Sequence, residues 1–160
     1  MARILLVQND PLLCQAVSDY HKSCAADELE CALTGSSAEH LLAAGGFEVA
    51  AISAILPDRS GIELAALAVN ENIPVLMLSA NSLVSRELER LHYQYLQHPF
   101  TLEALLCETK RVMHEAREHF SRVNASFSKM DASLAALQAE MAESHRLFDA
   151  IVARLGYWRR

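Results

Sequence analysis

Val49-Ala50-Ala51-Ile52-Ser53-Ala54-Ile55-Leu56-Pro57-Asp58-Arg59-Ser60-Gly61 decides how the first hundred residues are read. Val49–Ile52 is a short apolar run of the length of a buried strand. Leu56 to Gly61 gathers Pro, Asp, Ser and Gly, the residues that make turns. Ile62, Leu64, Ala65, Ala68 and Val69 then recur at helical spacing. A strand, a turn and a helix follow one another without a break.

The same unit repeats on both sides. Arg3–Val7 is an aliphatic run that ends at Asn9-Asp10-Pro11, where Asp can cap a helix and Pro suits its first turn. Leu12, Leu13, Ala16, Val17 and Tyr20 give that helix its apolar face. Glu30–Leu33 is a weaker second strand; a helix through Leu41 and Leu42 follows and stops at Gly45-Gly46. Ile73–Leu78 reads as a strand, Leu83–Leu91 as a helix and Tyr93–Leu96 as a last strand closed by Pro99. Five short strands separated by helices predict a parallel sheet covered on both faces. Right-handed crossovers then favour an α/β, flavodoxin-like doubly wound fold, with its functional crevice at the carboxyl ends of the strands. Gln8, Asn9, Ser53, Ser79 and His98 all fall at that edge.

Four motifs in order make these hundred residues resemble a bacterial response-regulator receiver domain. Ile4-Leu5-Leu6-Val7-Gln8-Asn9-Asp10-Pro11 resembles the opening strand and turn, with Gln8-Asn9 where the family has an acidic pair. Ala51 to Gly61 resembles the segment in which the phosphoaccepting aspartate precedes Leu-Pro-Asp and a glycine; Ser53 stands at the aspartate. Val75-Leu76-Met77-Leu78-Ser79-Ala80 resembles the strand ending in Ser/Thr-Ala. Tyr95-Leu96-Gln97-His98-Pro99-Phe100 resembles the segment with a switch aromatic, Tyr95, before Lys-Pro-Phe, and His98 replaces the lysine.

The resemblance implies a site for Mg²⁺ and phosphotransfer, and the substitutions argue against both. Mg²⁺ favours hard, charged oxygen ligands, whereas Gln8, Asn9 and Ser53 offer neutral ones. Asp10 is better placed to cap a helix. A serine hydroxyl without a base is a poor nucleophile. His98 is expected to fill space at the rim, and Ser53 and Ser79 to be small strand-end residues. Tyr95 suits a packed ring with a wet hydroxyl as well as it suits a switch. The degenerate pocket Gln8, Asn9, Asp10, Ser53, Ser79 and His98 is thus expected to hold no metal and no cofactor and to catalyse nothing.

Composition agrees with a protein-binding rather than a nucleic-acid-binding module. Apolar residues are 52% of the 160 and charged residues 21%, as in globular proteins. Residues 1–100 carry five Lys/Arg against twelve Asp/Glu, an acidic surface that does not attract nucleic acid. No apolar run is long enough for a membrane span. The opening Met-Ala-Arg-Ile-Leu-Leu-Val does not suit a signal peptide, so a cytoplasmic location is expected. Cys14, Cys24, Cys31 and Cys107 lack any metal-ligand spacing.

The domain boundary is expected near residue 100, with a receiver-like domain over 1–100 and a helical extension over 101–160. From Thr101 to Leu155 there is neither Gly nor Pro, and Thr101 with Glu103 suits a helix start. Met113, Phe120, Phe127, Leu134, Met141, Phe148 and Leu155 recur every seventh residue. Ala116, Val123, Met130, Leu137, Ser144 and Ile151 follow three residues later, which is coiled-coil spacing. The stripe from Met113 to Leu155 predicts a homodimer seam, with parallel, antiparallel and four-helix pairings all open. A hairpin turning within Ser121–Lys129 is the alternative, since Ser and Asn there compete for backbone hydrogen bonds. Gly156-Tyr157-Trp158-Arg159-Arg160 reads as a C-capping glycine with an aromatic-basic end.

A non-enzymatic signalling module with a protein partner is the reading these features favour. The competing class is a phosphorelay component, through residual receiver activity or a helical histidine among His114, His119 and His145.

Overall fold

The computed structural model describes residues 2–24 and 27–155. Its elements alternate as the sequence predicts: β1 (Arg3–Val7), α1 (Pro11–Cys24), β2 (Glu28–Ala32), α2 (Gly35–Ala44), β3 (Val49–Ser53), α3 (Gly61–Asn70), β4 (Val75–Ser79), α4 (Ser82–Arg90), β5 (Gln94–Gln97) and α5 (Leu102–Leu155). All strand pairings are parallel, in the order β2-β1-β3-β4-β5. That order is the flavodoxin-like doubly wound arrangement.

Strand alternation sorts the core into two layers. Leu5, Val7, Ile52 and Met77 point to one face, where Leu42 of α2, Leu64 of α3 and Leu88 of α4 cover them. Ile4, Leu6, Leu76 and Leu78 point to the other, under Val17 of α1 and Leu105 of α5. Because both faces are covered, β1, β3 and β4 are apolar at nearly every position.

Three strand starts differ from expectation, each because pairing or a helix end competes with local apolarity. β2 begins at Glu28, where it pairs with Arg3, two residues before the expected Glu30. Ile73 is held by its N–H to the Ala68 carbonyl at the end of α3, so β4 starts at Val75. The Tyr93 N–H is held by the Leu88 carbonyl at the end of α4, so β5 runs Gln94–Gln97.

α5 is a single helix from Leu102, with the Thr101 hydroxyl accepting from the Ala104 N–H at 3.1 Å. It runs unbroken through Ser121–Lys129, so no hairpin forms there. The serines do not divert the backbone: Ser126 and Ser133 each donate to the carbonyl four residues back, at 3.0 Å. The chain divides into two compact units, residues 1–116 and 117–160, so α5 as far as Ala116 belongs to the globular unit. Met113 accordingly leaves the expected seam: it is 8% exposed and packs in the second core layer with Val112. Beyond it, Phe120, Phe127, Met130, Leu134, Leu137, Met141, Phe148 and Ile151 are exposed, and Val123 is half-buried. The side chain of Leu155 and the Gly156–Arg160 end lie outside the described residues. No described helix is long and apolar enough to cross a membrane.

Candidate functional site at the carboxyl edge of the sheet

The loops after β1, β3, β4 and β5 bring the expected residues to one edge. Gln8 follows β1 and is buried; its side-chain oxygen turns back to accept from the Asn9 N–H at 2.9 Å. Asn9 and Asp10 are exposed. Asp10 caps α1 as expected, accepting from the Leu12 N–H at 2.9 Å and more weakly from Leu13 at 3.4 Å. Ser53 ends β3 half-buried, and its hydroxyl donates to the Ile55 carbonyl at 3.0 Å.

The loop between β3 and α3 is unusually constrained. Leu56 is buried and Ile55 bridges to Ser60. The Asp58 carboxylate accepts from the Gly35 and Ser36 N–H groups, 2.7 Å each, at the amino end of α2. Those two bonds, Gly35's first, hold its pKa below the ordinary aspartate value. Arg59 pairs with Glu39 of α2 at 2.7 Å. Sequence reading saw only a turn here. The clasp was not legible because it joins residues far apart in the chain.

At the end of β4, Ser79 is fully buried and donates to the Asn81 carbonyl at 2.8 Å. Its hydroxyl also lies 2.8 Å from that of Ser85, which in turn bonds the Gln97 side-chain oxygen at 2.8 Å. Asn81 caps α4 through the Leu83 and Val84 N–H groups. Ser85 and Gln97 were missed at the sequence level. The available signal was Ser85 falling three residues before buried Leu88 on one helix face.

His98 sits against the rim as expected, its ring 4.1 Å from that of Phe100, and its N–H donates to the Ser79 carbonyl at 2.9 Å. The His98-Pro99 peptide is cis. Tyr95 is half-buried and its hydroxyl donates to Glu89, which raises the phenol's pKa.

The edge therefore presents Gln8 and Ser53, whose side chains bond within their own loops, and two carboxylates, Asp10 and Asp58, each engaged at a helix start. Among the described residues, no three His, Cys, Asp or Glu side chains are grouped as metal ligands. This donor set does not suit Mg²⁺, which gives up water reluctantly and favours charged oxygens. Around it stand large exposed apolar residues: Leu12 at 81% exposure after β1, Ile55 at 55% after β3 and Leu83 at 73% after β4. A cleft of about 390 Å³ lies elsewhere, at the amino ends of β1 and β2, lined in part by Arg3, His21, Asp27, Glu28 and Glu30. Arg3 there pairs with Glu28 and Glu30, and Asp27 lies 3.9 Å from Lys110 of α5.

No family profile and no curated protein matches the sequence. Solved structures do. The chain is similar to the chemotaxis protein CheY4 of Vibrio cholerae, 27% identical with TM-score 0.61 over 70% of this chain and 98% of that one. It is similar to the non-phosphorylated HemR receiver domain of Leptospira biflexa, 28% identical with TM-score 0.61 over 71% of this chain and 94% of that one. The response regulator TrrA of Thermotoga maritima, solved in complex with Mg²⁺-BeF, matches at 21% identity and TM-score 0.62 over 70% of this chain and 99% of that one. The chain has the fold of a response-regulator receiver domain, carried on into a long carboxyl-terminal helix.

Proposed function

We propose that this chain is a non-enzymatic signal-transduction module: a receiver fold without the phosphoacceptor aspartate, acting through protein contacts and pairing with a second copy through the distal part of α5. One observation carries the reading. At the edge where a receiver would take a phosphoryl group, Ser53 spends its hydroxyl on Ile55 and Gln8 spends its side-chain oxygen on Asn9. A neutral hydroxyl with no adjacent base is a poor nucleophile. The exposed Leu12, Ile55 and Leu83 follow three adjacent strands and supply apolar area suited to a protein partner. Pairing through α5 is supported by the row of exposed apolar residues from Phe120 to Ile151, too regular to be scattered surface hydrophobes.

Incubation with a labelled acyl phosphate and Mg²⁺ tests the first half, and the expected result is no covalent label. Any covalent phosphoryl group on the chain, an acid-stable ester at Ser53 or an acid-labile phosphohistidine, overturns it in favour of residual phosphotransfer. Light scattering tests the second half, with a dimer expected. For the metal, calorimetry is expected to find no saturable sub-millimolar Mg²⁺ binding in the natural sequence. Ser53→Asp with Asn9→Asp places two carboxylates beside Asp10 and is expected to gain Mg²⁺ affinity.

A further inference from the structure

We infer that the distal part of α5 pairs with a second copy of this chain in parallel and in register; this rests on the proposed pairing and adds its orientation. With Phe120 counted as position a and Val123 as d, positions e and g flank the apolar row. Two of these flanking positions are themselves apolar: Leu147, a g position that is 60% exposed, and Val152, an e position. They are five residues apart, the spacing at which g of one helix meets e of its partner in a parallel coiled coil. Parallel pairing therefore closes Leu147 of each copy on Val152 of the other, and widens the apolar contact where the row ends.

The charged flanks agree. In parallel register, Glu140 meets His145 and Ser126 meets Asp131, and no pair brings two like charges together. Antiparallel pairing over the whole row instead sets Leu147 near His119 or Ser126, and Val152 near Arg117 or Asn124. Both apolar side chains then lie against polar ones, with their area left uncovered. The unbroken helix matters here, because a hairpin within the chain would have used the same row internally.

Pulsed electron paramagnetic resonance on spin-labelled full-length protein tests the orientation. Ala125→Cys and Ala153→Cys, made separately, place labels at two outward positions, in a background where exposed Cys24 and Cys107 are changed to serine. Parallel pairing gives similar interchain distances at both sites, about 20–30 Å. Antiparallel pairing gives about 40 Å at position 125 and about 60 Å at position 153, from a rise of about 1.5 Å per residue. Equal short distances in a particle of dimer mass are the expected result. Unequal distances in a dimer overturn the orientation and leave the pairing itself standing. Any mass other than a dimer overturns both.

Discussion

A Cβ placed on Gly61 would lie 1.8 Å from the carbonyl oxygen of Ser53. The start of α3 thus rests directly on the end of β3, and the Gly61 N–H donates to the Ala54 carbonyl at 3.0 Å. The loop that leaves Ser53 must return within a few residues, and a bare backbone at Gly61 is what lets it close. The same approach fixes Ser53 at the strand end and turns its hydroxyl toward its own loop.

Gly61→Ala is accordingly expected to destabilise the protein by about 1–3 kcal/mol, toward the upper end because the obstacle is backbone rather than a flexible side chain. Urea unfolding followed by circular dichroism measures it. An unchanged midpoint would show that the loop can open without cost.

Asp58 gives the fold an acid sensitivity. Its folded pKa lies below its unfolded value, near 3.8, so the unfolded chain holds more protons between the two. The stabilisation is full above the unfolded pKa and is lost as pH falls through the folded one. Asp58→Asn, which keeps one uncharged acceptor oxygen and turns an NH2 donor toward the other N–H, should lower the melting temperature near neutral pH. It should also flatten the decline below about pH 4. A variant with the same acid profile as the natural protein would place that decline on other carboxylates.

The four thiols should divide by environment. Burial, followed by the neighbouring Cys31, pushes the Cys14 thiol up to about 12, and burial raises Cys31 as well. Cys24 and Cys107 are exposed. Because the thiolate is the reacting species, a disulfide reagent at about pH 8 should modify Cys24 and Cys107 promptly and Cys14 only after unfolding. Prompt reaction at Cys14 would contradict the packing of α1 on the sheet.

Leu134→Lys with Leu137→Lys puts unpaired charge in the middle of the apolar row. Each leucine contributes about 1.5–3 kcal/mol when fully buried, and each copy loses two. The double variant should be monomeric by light scattering. The melting of the globular unit, whose core does not include these residues, should be unchanged. A natural protein that is itself monomeric would reject the pairing.

The alternation of elements, the doubly wound sheet and the arrival of Gln8, Asn9, Ser53, Ser79 and His98 at one edge were legible in the order of residues alone. These depend on period, turn residues and the handedness of crossovers, which are local or follow from chirality. That order also carried the capping by Asp10 and Thr101, since a cap is read within one helical turn. Contacts between residues distant in sequence came from packing: Asp58 clasping α2 and the chain Ser79, Ser85 and Gln97. Packing also draws Met113 into the globular core, and α5 runs straight on through Ser121–Lys129. The reason is physical: a heptad count shows which face of a helix is apolar, whereas the surface that covers it depends on which other elements pack there.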